Sequence, residues 1–497
     1  MIINDVIGRR NVTVITGGSD GIGKGYAKEL AKRGLNVVII SHMREELIAT
    51  SKEIENLYKT EVKCIVADFS KGKEVYEHIK KELLDIPVGI LVNNVGCASY
   101  PDELCNRSED WLWNIININV GAVTLMSRII IPQMKKQGKG AIVNIASGLA
   151  LQPTPLWAVY AATKSYVRSL SLAMERELFE YNVTVQCVIP SFVLTKFIHF
   201  SELLSRVLFL GFFSSMWTVY EILSSVINLV GLLAAACFLY DNFKSLFSIL
   251  KAALEPYFRP HLPHSLPDRF GKWAENLYKT EVKWIVADFS KGKEVYEHIK
   301  KELLHIPIGI LVNNVGCASC PDELCNRSED WLWNIINLNV GAVTLMSRIV
   351  IPQMKKQGKG AIVNIASNAE LTPIPLAAVY SATKRYIRSL SLAMERELFK
   401  YNITVQCVTP SFVRTELLQF SDILSRNKFV GTPVETYTRT AVFTLGKTQE
   451  TTGYWTHAIL YFIEKLFPEW LRIRIAHIIS DYVRKDCLKN QVEGKEN

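Results

Sequence analysis

Apolar and polar positions along this chain alternate between two periods. The β-branched run Val12–Thr16 leads into a cluster of glycines, and 22–33 then carries apolar residues at helical spacing. The same alternation continues downstream: strands are expected at 36–41, 63–67, 89–93, 140–145 and 183–188. Between them lie helical stretches at 73–84, between 93 and 140, and from about 157. Strands alternating with helices predict parallel βαβ units, hence an α/β, doubly wound parallel sheet of the Rossmann kind.

The pattern then repeats. Residues 55–206 realign onto 275–426 at a constant offset of 220, and 25 of the 152 positions differ. In the second copy Ala274 runs straight into Glu275, so nothing there corresponds to 14–54. That piece holds the glycine cluster and the first two strands. The first copy stops near Arg206, whereas the second continues past Arg426 into a tail with an expected last strand at 452–455 and an amphipathic, aromatic-rich stretch at 461–479.

Between the copies, 222–240 is uncharged for nineteen residues, close to the ~20 that a helix needs to cross a bilayer. A buried core helix and a hairpin dipping into one leaflet are the alternatives. A proline-rich linker follows at 256–267. The expected organisation is therefore a first copy at 1–206 and a membrane segment at 207–240. An amphipathic, proline-rich linker follows at 241–274, then a truncated second copy at 275–455 and an aromatic tail at 456–497. A single crossing would place the copies on opposite sides of a membrane, so either the segment re-enters one leaflet or one copy alone functions. Lys244, Lys251, Arg259 and Arg269 after it favour a cytosolic second copy.

Composition narrows the classes. Apolar residues make up 49% and charged residues 21%, which describes a globular chain with some membrane character. The net charge of +9 is spread along the chain as a solvated surface, so no nucleic-acid partner is expected. The ten cysteines largely recur with the repeat and give no disulfide framework, which suits a reducing compartment. Cys317 and Cys320 have CxxC spacing, but no second ligand pair lies near, so no metal is expected.

Two motifs carry chemistry. TGGSDGIG at 16–23 follows a strand and opens a helix, and Gly17, Gly21 and Gly23 let backbone approach a pyrophosphate at the positive helix N-terminus. YAATK at 160–164 sets the Tyr160 phenol and the Lys164 ammonium one turn apart on one helix face. A nearby cation would lower the phenol pKa and fit Tyr160 for proton exchange. Ser147, at the end of the 141–146 run, could hold a carbonyl beside it.

Together with Asn93, Asn94 and Gly96, Asn119 and the Pro190 to Thr195 segment, these motifs resemble the short-chain dehydrogenase/reductase family. The likeness extends over both copies. Within that family, SDGIGK at 19–24, the 89–96 segment, TTGYWTH at 451–457 and PEWL at 468–471 resemble two groups. These are the hydroxysteroid dehydrogenase-like proteins and the 17-beta-hydroxysteroid dehydrogenase/very-long-chain 3-oxoacyl-CoA reductases. The resemblance implies catalytic roles for Asn119, Ser147, Tyr160 and Lys164: Tyr160 as general acid/base, Ser147 orienting a carbonyl, Lys164 on the ribose and Asn119 supporting a proton relay. It implies a dinucleotide site of Gly17, Ser19, Asp20, Gly21, Ile22, Gly23, Arg44, Asp68, Asn94, Gly96, Tyr160, Lys164 and Thr195. Because the second strand ends in Ser41 and His42 with no acid, and Arg44 and Lys24 lie nearby, NADP is expected over NAD.

The second copy keeps a matching set, Asn339, Ser367, Tyr380 and Lys384, without a phosphate loop. Differences cluster at 148–157 and 194–203, the segments that border substrate in this family. The expected function is a membrane-associated oxidoreductase for a lipophilic carbonyl or alcohol, at the endoplasmic reticulum or in the mitochondrion, as a homodimer or an in-chain pseudo-dimer. The alternative is a catalytically impaired scaffold, or two paralogous genes read as one.

Overall fold

A computed structural model describes residues 12–191, 193, 283–415, 417, 420–421, 423–424 and 431–493. The segments expected as membrane span and linker, 207–240 and 241–274, and the nicotinamide-side residue Thr195 lie outside the described residues. Two described helical stretches, Glu109–Gln137 and Glu329–Gln357, are long and apolar enough to cross a membrane, but 72% and 67% of their apolar windows are buried. They are core helices.

The first copy forms a six-stranded, all-parallel sheet. Its strands are β1 (Val12–Thr16), β2 (Val37–Ser41), β3 (Val62–Val66), β4 (Val88–Asn93), β5 (Gly140–Ile145) and β6 (Val183–Val188), in the order β3-β2-β1-β4-β5-β6. Helices cover both faces, so the central strands are apolar throughout, and β2 and β4 are buried at every position. On one face lie α1 (Gly21–Lys32) and α2 (Arg44–Tyr58), packed over Ile15, Ile39 and Val92. On the other lie α3 (Glu74–Leu83), α4 (Glu109–Ile116), α5 (Ala122–Gln137) and α6 (Ala158–Leu178). The strand order reverses between β1 and β4, which opens a crevice at their carboxyl ends.

The second copy keeps α7 (Glu294–Leu303), β7 (Ile310–Asn313), α8 (Glu329–Ile336), α9 (Ala342–Gln357), β8 (Gly360–Ile365), α10 (Ala378–Leu398) and β9 (Ile403–Val408). A short two-stranded pairing of β10 (Val413–Arg414) with β11 (Thr432–Pro433) follows, then α11 (Val434–Phe443) and β12 (Glu450–Thr451). Its main sheet has four strands, β12-β9-β8-β7. The loss goes beyond the two strands expected. Among the described residues, β3 of the first copy pairs only with β2. With no β2 counterpart, 283–288 forms no ladder, and Trp284 and Val286 are 86% and 91% exposed. The last strand also falls earlier than 452–455: Gly453 turns the chain with φ +75°, and Trp455 already begins helix α12 (Trp455–Leu466). The expected 461–479 stretch is two helices, α12 and α13 (Glu469–Glu493), broken at Pro468.

The copies face one another about a pseudo-twofold axis. One continuous apolar core includes Trp113, Ile116 and Leu170 of the first copy and Trp333, Ile336 and Leu390 of the second. Contacts come in reciprocal pairs: Trp113 with Tyr296 and Tyr76 with Trp333, each with ring centroids 6.1 Å apart. The ion pairs Lys80–Glu329 and Lys300–Glu109 are matched at 2.5 Å. The carboxylate of Glu469, at the start of α13, grips Arg168 of the first copy through two bonds of 3.1 and 2.7 Å.

Candidate active site

The loop after β1 is built from backbone. Gly17 and Gly21 lie at φ +65° and +53°, where a side chain is strained. A Cβ on Gly23 would fall 2.2 Å from the Gly17 carbonyl oxygen. Thr16 fixes the neighbouring loop: its Oγ1 accepts from Asn94 N at 3.0 Å and Val95 N at 3.1 Å. Asn94 Nδ2 donates back to the Thr16 and Gly17 carbonyls at 3.0 and 3.1 Å. Ser19 Oγ donates to Ser41 Oγ at 2.8 Å, tying the loop to the end of β2. The result is a tight turn at the helix N-terminus, opened by Asp20 and Ile22, whose free N–H groups suit an anionic pyrophosphate.

At the far end of the sheet, Ser147 follows β5 and its side chain bonds Tyr160, the third residue of α6. Lys164 donates to the Ile145 carbonyl at 3.0 Å, with its Nζ 5.8 Å from the Tyr160 ring centroid. Asn119 sits in a π turn at Asn117–Gly121 between α4 and α5. Its amide clamps Cys97, accepting from N at 2.8 Å and donating to O at 3.0 Å, and it donates to Thr163 Oγ1 at 3.1 Å. Gly96 bridges the two ends: a Cβ there would lie 3.4 Å from both Asn119 Oδ1 and Lys164 Nζ. The phosphate loop, Asn94, Gly96, Asn119, Ser147, Tyr160 and Lys164 therefore line one crevice along the carboxyl edge of the sheet.

The electrostatics differ from the sequence expectation. Burial pushes the Tyr160 phenol up to about 12, while the Ser147 hydroxyl pulls it back. The expected lowering by Lys164 does not emerge, because that ammonium is itself buried, is pushed down to about 8 and is aimed at the Ile145 carbonyl. Around the cofactor-selecting strand end, Lys24 is engaged by Glu53 at 2.9 Å, which removes it from the pair expected to favour a phosphate. Arg44, first residue of α2, is exposed. Asp68 follows β3 and accepts from Ser70 N at 3.0 Å.

The second copy reproduces only the chemical end. Tyr380 bonds Ser367, Lys384 donates to the Ile365 carbonyl at 3.2 Å, and Asn339 accepts from Cys317 N at 2.9 Å. Asn314, the counterpart of Asn94, is exposed where the first copy has Thr16 and Gly17.

Two contributors had no individual role assigned from the sequence. Thr16 was visible only as the start of a glycine motif. Trp157 packs edge-on against Tyr160, ring centroids 5.8 Å apart, where the second copy has Ala377. Its place in the 148–157 cluster of differences between the copies was the available signal.

Parallel order, phosphate turn and Ser–Tyr–Lys set together define a nucleotide-dependent oxidoreductase fold. The profile of the short chain dehydrogenase family matches residues 11–202 and 268–422, and the chain belongs to that family. It is 46% identical over 194 residues to hydroxysteroid dehydrogenase-like protein 1 of Gallus gallus, covering 39% of this chain and 59% of that protein. The same identity and coverage hold for a Homo sapiens relative named inactive hydroxysteroid dehydrogenase-like protein 1. Very-long-chain 3-oxoacyl-CoA reductase-B of Danio rerio is 41% identical over 186 residues, 37% of this chain and 60% of that protein. The match thus spans about three-fifths of the length of these relatives. Among solved structures, a short-chain dehydrogenase from Sphingobium yanoikuyae in complex with NADPH is 29% identical, with a TM-score of 0.36, over 38% of this chain and 73% of that one.

Proposed function

We propose that the first copy is an NADP(H)-dependent reductase or dehydrogenase acting on a lipophilic carbonyl or alcohol of steroid or 3-oxoacyl type. The observation that carries this reading is that the Ser147–Tyr160 bond, Lys164 and Asn119 share one crevice with the Gly17–Gly23 turn. When bound, the nicotinamide cofactor supplies or accepts the hydride. Tyr160 gives its proton to the carbonyl oxygen in the reducing direction, Ser147 donates a hydrogen bond to the same oxygen, and Asn119 holds the 97 loop that closes the crevice. The absence of an acid at the end of β2, with Arg44 exposed beside it, supports NADP. The reductase named in Danio rerio supports an acyl substrate.

Exposed Trp455, Leu460, Ile463, Trp470 and Ile478 on α12 and α13 support a membrane-associated protein, and endoplasmic reticulum is the proposed site. The test is oxidation of NADPH and NADH against a panel of steroid ketones and 3-oxoacyl-CoA thioesters. Tyr160→Phe is expected to reduce turnover by at least ~10²-fold. Activity that survives this change sinks the assignment.

A second reading is a scaffold that binds dinucleotide without turning over substrate. The relatives named inactive favour it. NADPH binding with no consumption across the whole panel would decide for it.

A further inference from the structure

The wall of the Tyr160 cleft is not held by the first copy alone. That cleft is lined on one side by Tyr100, Asp102, Leu104 and Arg107, and on the other by Leu156, Trp157 and Tyr160. Leu156 sits in the left-handed region at φ +64°, a conformation a leucine adopts only when its surroundings impose it. Its N–H is held from the second copy. Glu397, on α10 and only 4% exposed, accepts from Leu156 N at 2.6 Å through one carboxylate oxygen. Through the other it accepts from Leu104 N at 3.4 Å. One buried carboxylate therefore ties both walls of the cleft together. Leu156 O in turn accepts from Asp102 N at 2.9 Å, and the next residue, Trp157, carries the ring packed against Tyr160.

We propose that Glu397 is a positioning residue for the first copy's reaction: the second copy, which lacks a phosphate loop, supplies the carboxylate that sets the Leu104 and Leu156 walls around Tyr160. This rests on the first copy being the working site. The pseudo-twofold relation provides an internal control. Glu177 of the first copy makes the mirror contacts, accepting from Leu376 N at 2.7 Å and Leu324 N at 3.4 Å, beside Tyr380 of the second copy. Loss of either carboxylate disturbs the interface between copies to the same degree, but only loss of Glu397 disturbs the wall at Tyr160. A glutamine cannot replace it, since one of its two head atoms is a donor and would face a backbone N–H.

The experiment compares Glu397→Gln and Glu177→Gln in the full chain. Backbone hydrogen exchange is followed at 102–106 and 151–158 and at 322–326 and 371–378. Carbonyl kcat and KM and NADPH Kd are measured alongside. Glu397→Gln is expected to raise exchange in the first pair of segments and lower kcat/KM about tenfold, with NADPH Kd unchanged. Glu177→Gln is expected to raise exchange in the second pair and leave kcat/KM within about twofold, although both variants lose similar Tm. Equal losses of turnover, or undiminished turnover in Glu397→Gln, overturn the proposal. If the parent chain turns over no carbonyl, the enzymatic reading fails separately. Exchange then still decides the positioning, because unchanged protection at 151–158 in Glu397→Gln overturns it. Should Glu397→Gln fail to fold, Glu397→Asp keeps the charge but shortens the reach, and the same asymmetry against Glu177→Asp is required.

Discussion

Trp333 of the second copy lies directly on Gly121 of the first: a Cβ added at Gly121 would fall 2.7 Å from Trp333 Cη2. The mirror contact, Trp113 on Gly341, leaves 2.8 Å. Each glycine ends the π turn that carries the site asparagine, so the join between copies and the Asn119 turn share a residue. Gly121→Ala is expected to cost about 1–3 kcal/mol through overpacking. A lowered Tm in thermal denaturation checks it, and an unchanged Tm would show that the indole can move.

The phosphate turn is more demanding. Gly23→Ala would place a methyl 2.2 Å from the Gly17 carbonyl oxygen, which cannot retreat because Asn94 Nδ2 is bonded to it. Dinucleotide Kd is expected to rise at least ~10-fold, since the turn must open and its N–H groups lose their aim. Titration by fluorescence measures this, with far-UV circular dichroism confirming an intact fold.

Arg44 is the cation left for a 2′-phosphate once Lys24 is engaged by Glu53. Arg44→Ala is expected to lower the preference for NADPH over NADH about tenfold, the value of one charge-assisted contact. Equal effects on both dinucleotides would remove Arg44 from that role.

Stability should depend on pH through the two interface carboxylates. Burial raises both Glu177 and Glu397 to about 7, against the pull of the backbone N–H bonds each accepts. Glu323 and Arg327 face the first, and Glu103 and Lys355 face the second. Because the folded-state values lie above the ordinary 4.5, the contribution is fully present below about 4.5 and is lost as pH rises through about 7. In a Glu177→Gln/Glu397→Gln double variant, the fall of Tm between pH 5 and 7.5 should flatten. A slope identical to the parent would refute the shifts.

The two Ser–Tyr–Lys sets should be unequal. Tyr380→Phe is expected to leave NADPH-dependent turnover within about twofold, since Asn314 has no Thr16 or Gly17 to bind in its own copy. Loss comparable to that of Tyr160→Phe would show that the second copy also reacts.

Local pattern alone determined much of this protein. Strands β5 and β6 fall on the residues that alternation and β-branching indicate, and the glycine turn and YxxxK pair are fixed by spacing within a few residues. The repeat itself needed only alignment. Where the reading went astray, the missing information was non-local. Residues 283–286 repeat 63–66 of β3 except at Trp284, yet a strand exists only if a neighbour offers its backbone groups, and that neighbour had been lost from the chain. Tyr160 carries a cation one turn away, as the spacing says, but burial decides the sign of its shift. Glu397 looks in sequence like one more charged residue on a long helix. Only the packing of α10 against α6 buries its carboxylate and sets it against Leu104 and Leu156, some 240 residues or more away along the chain.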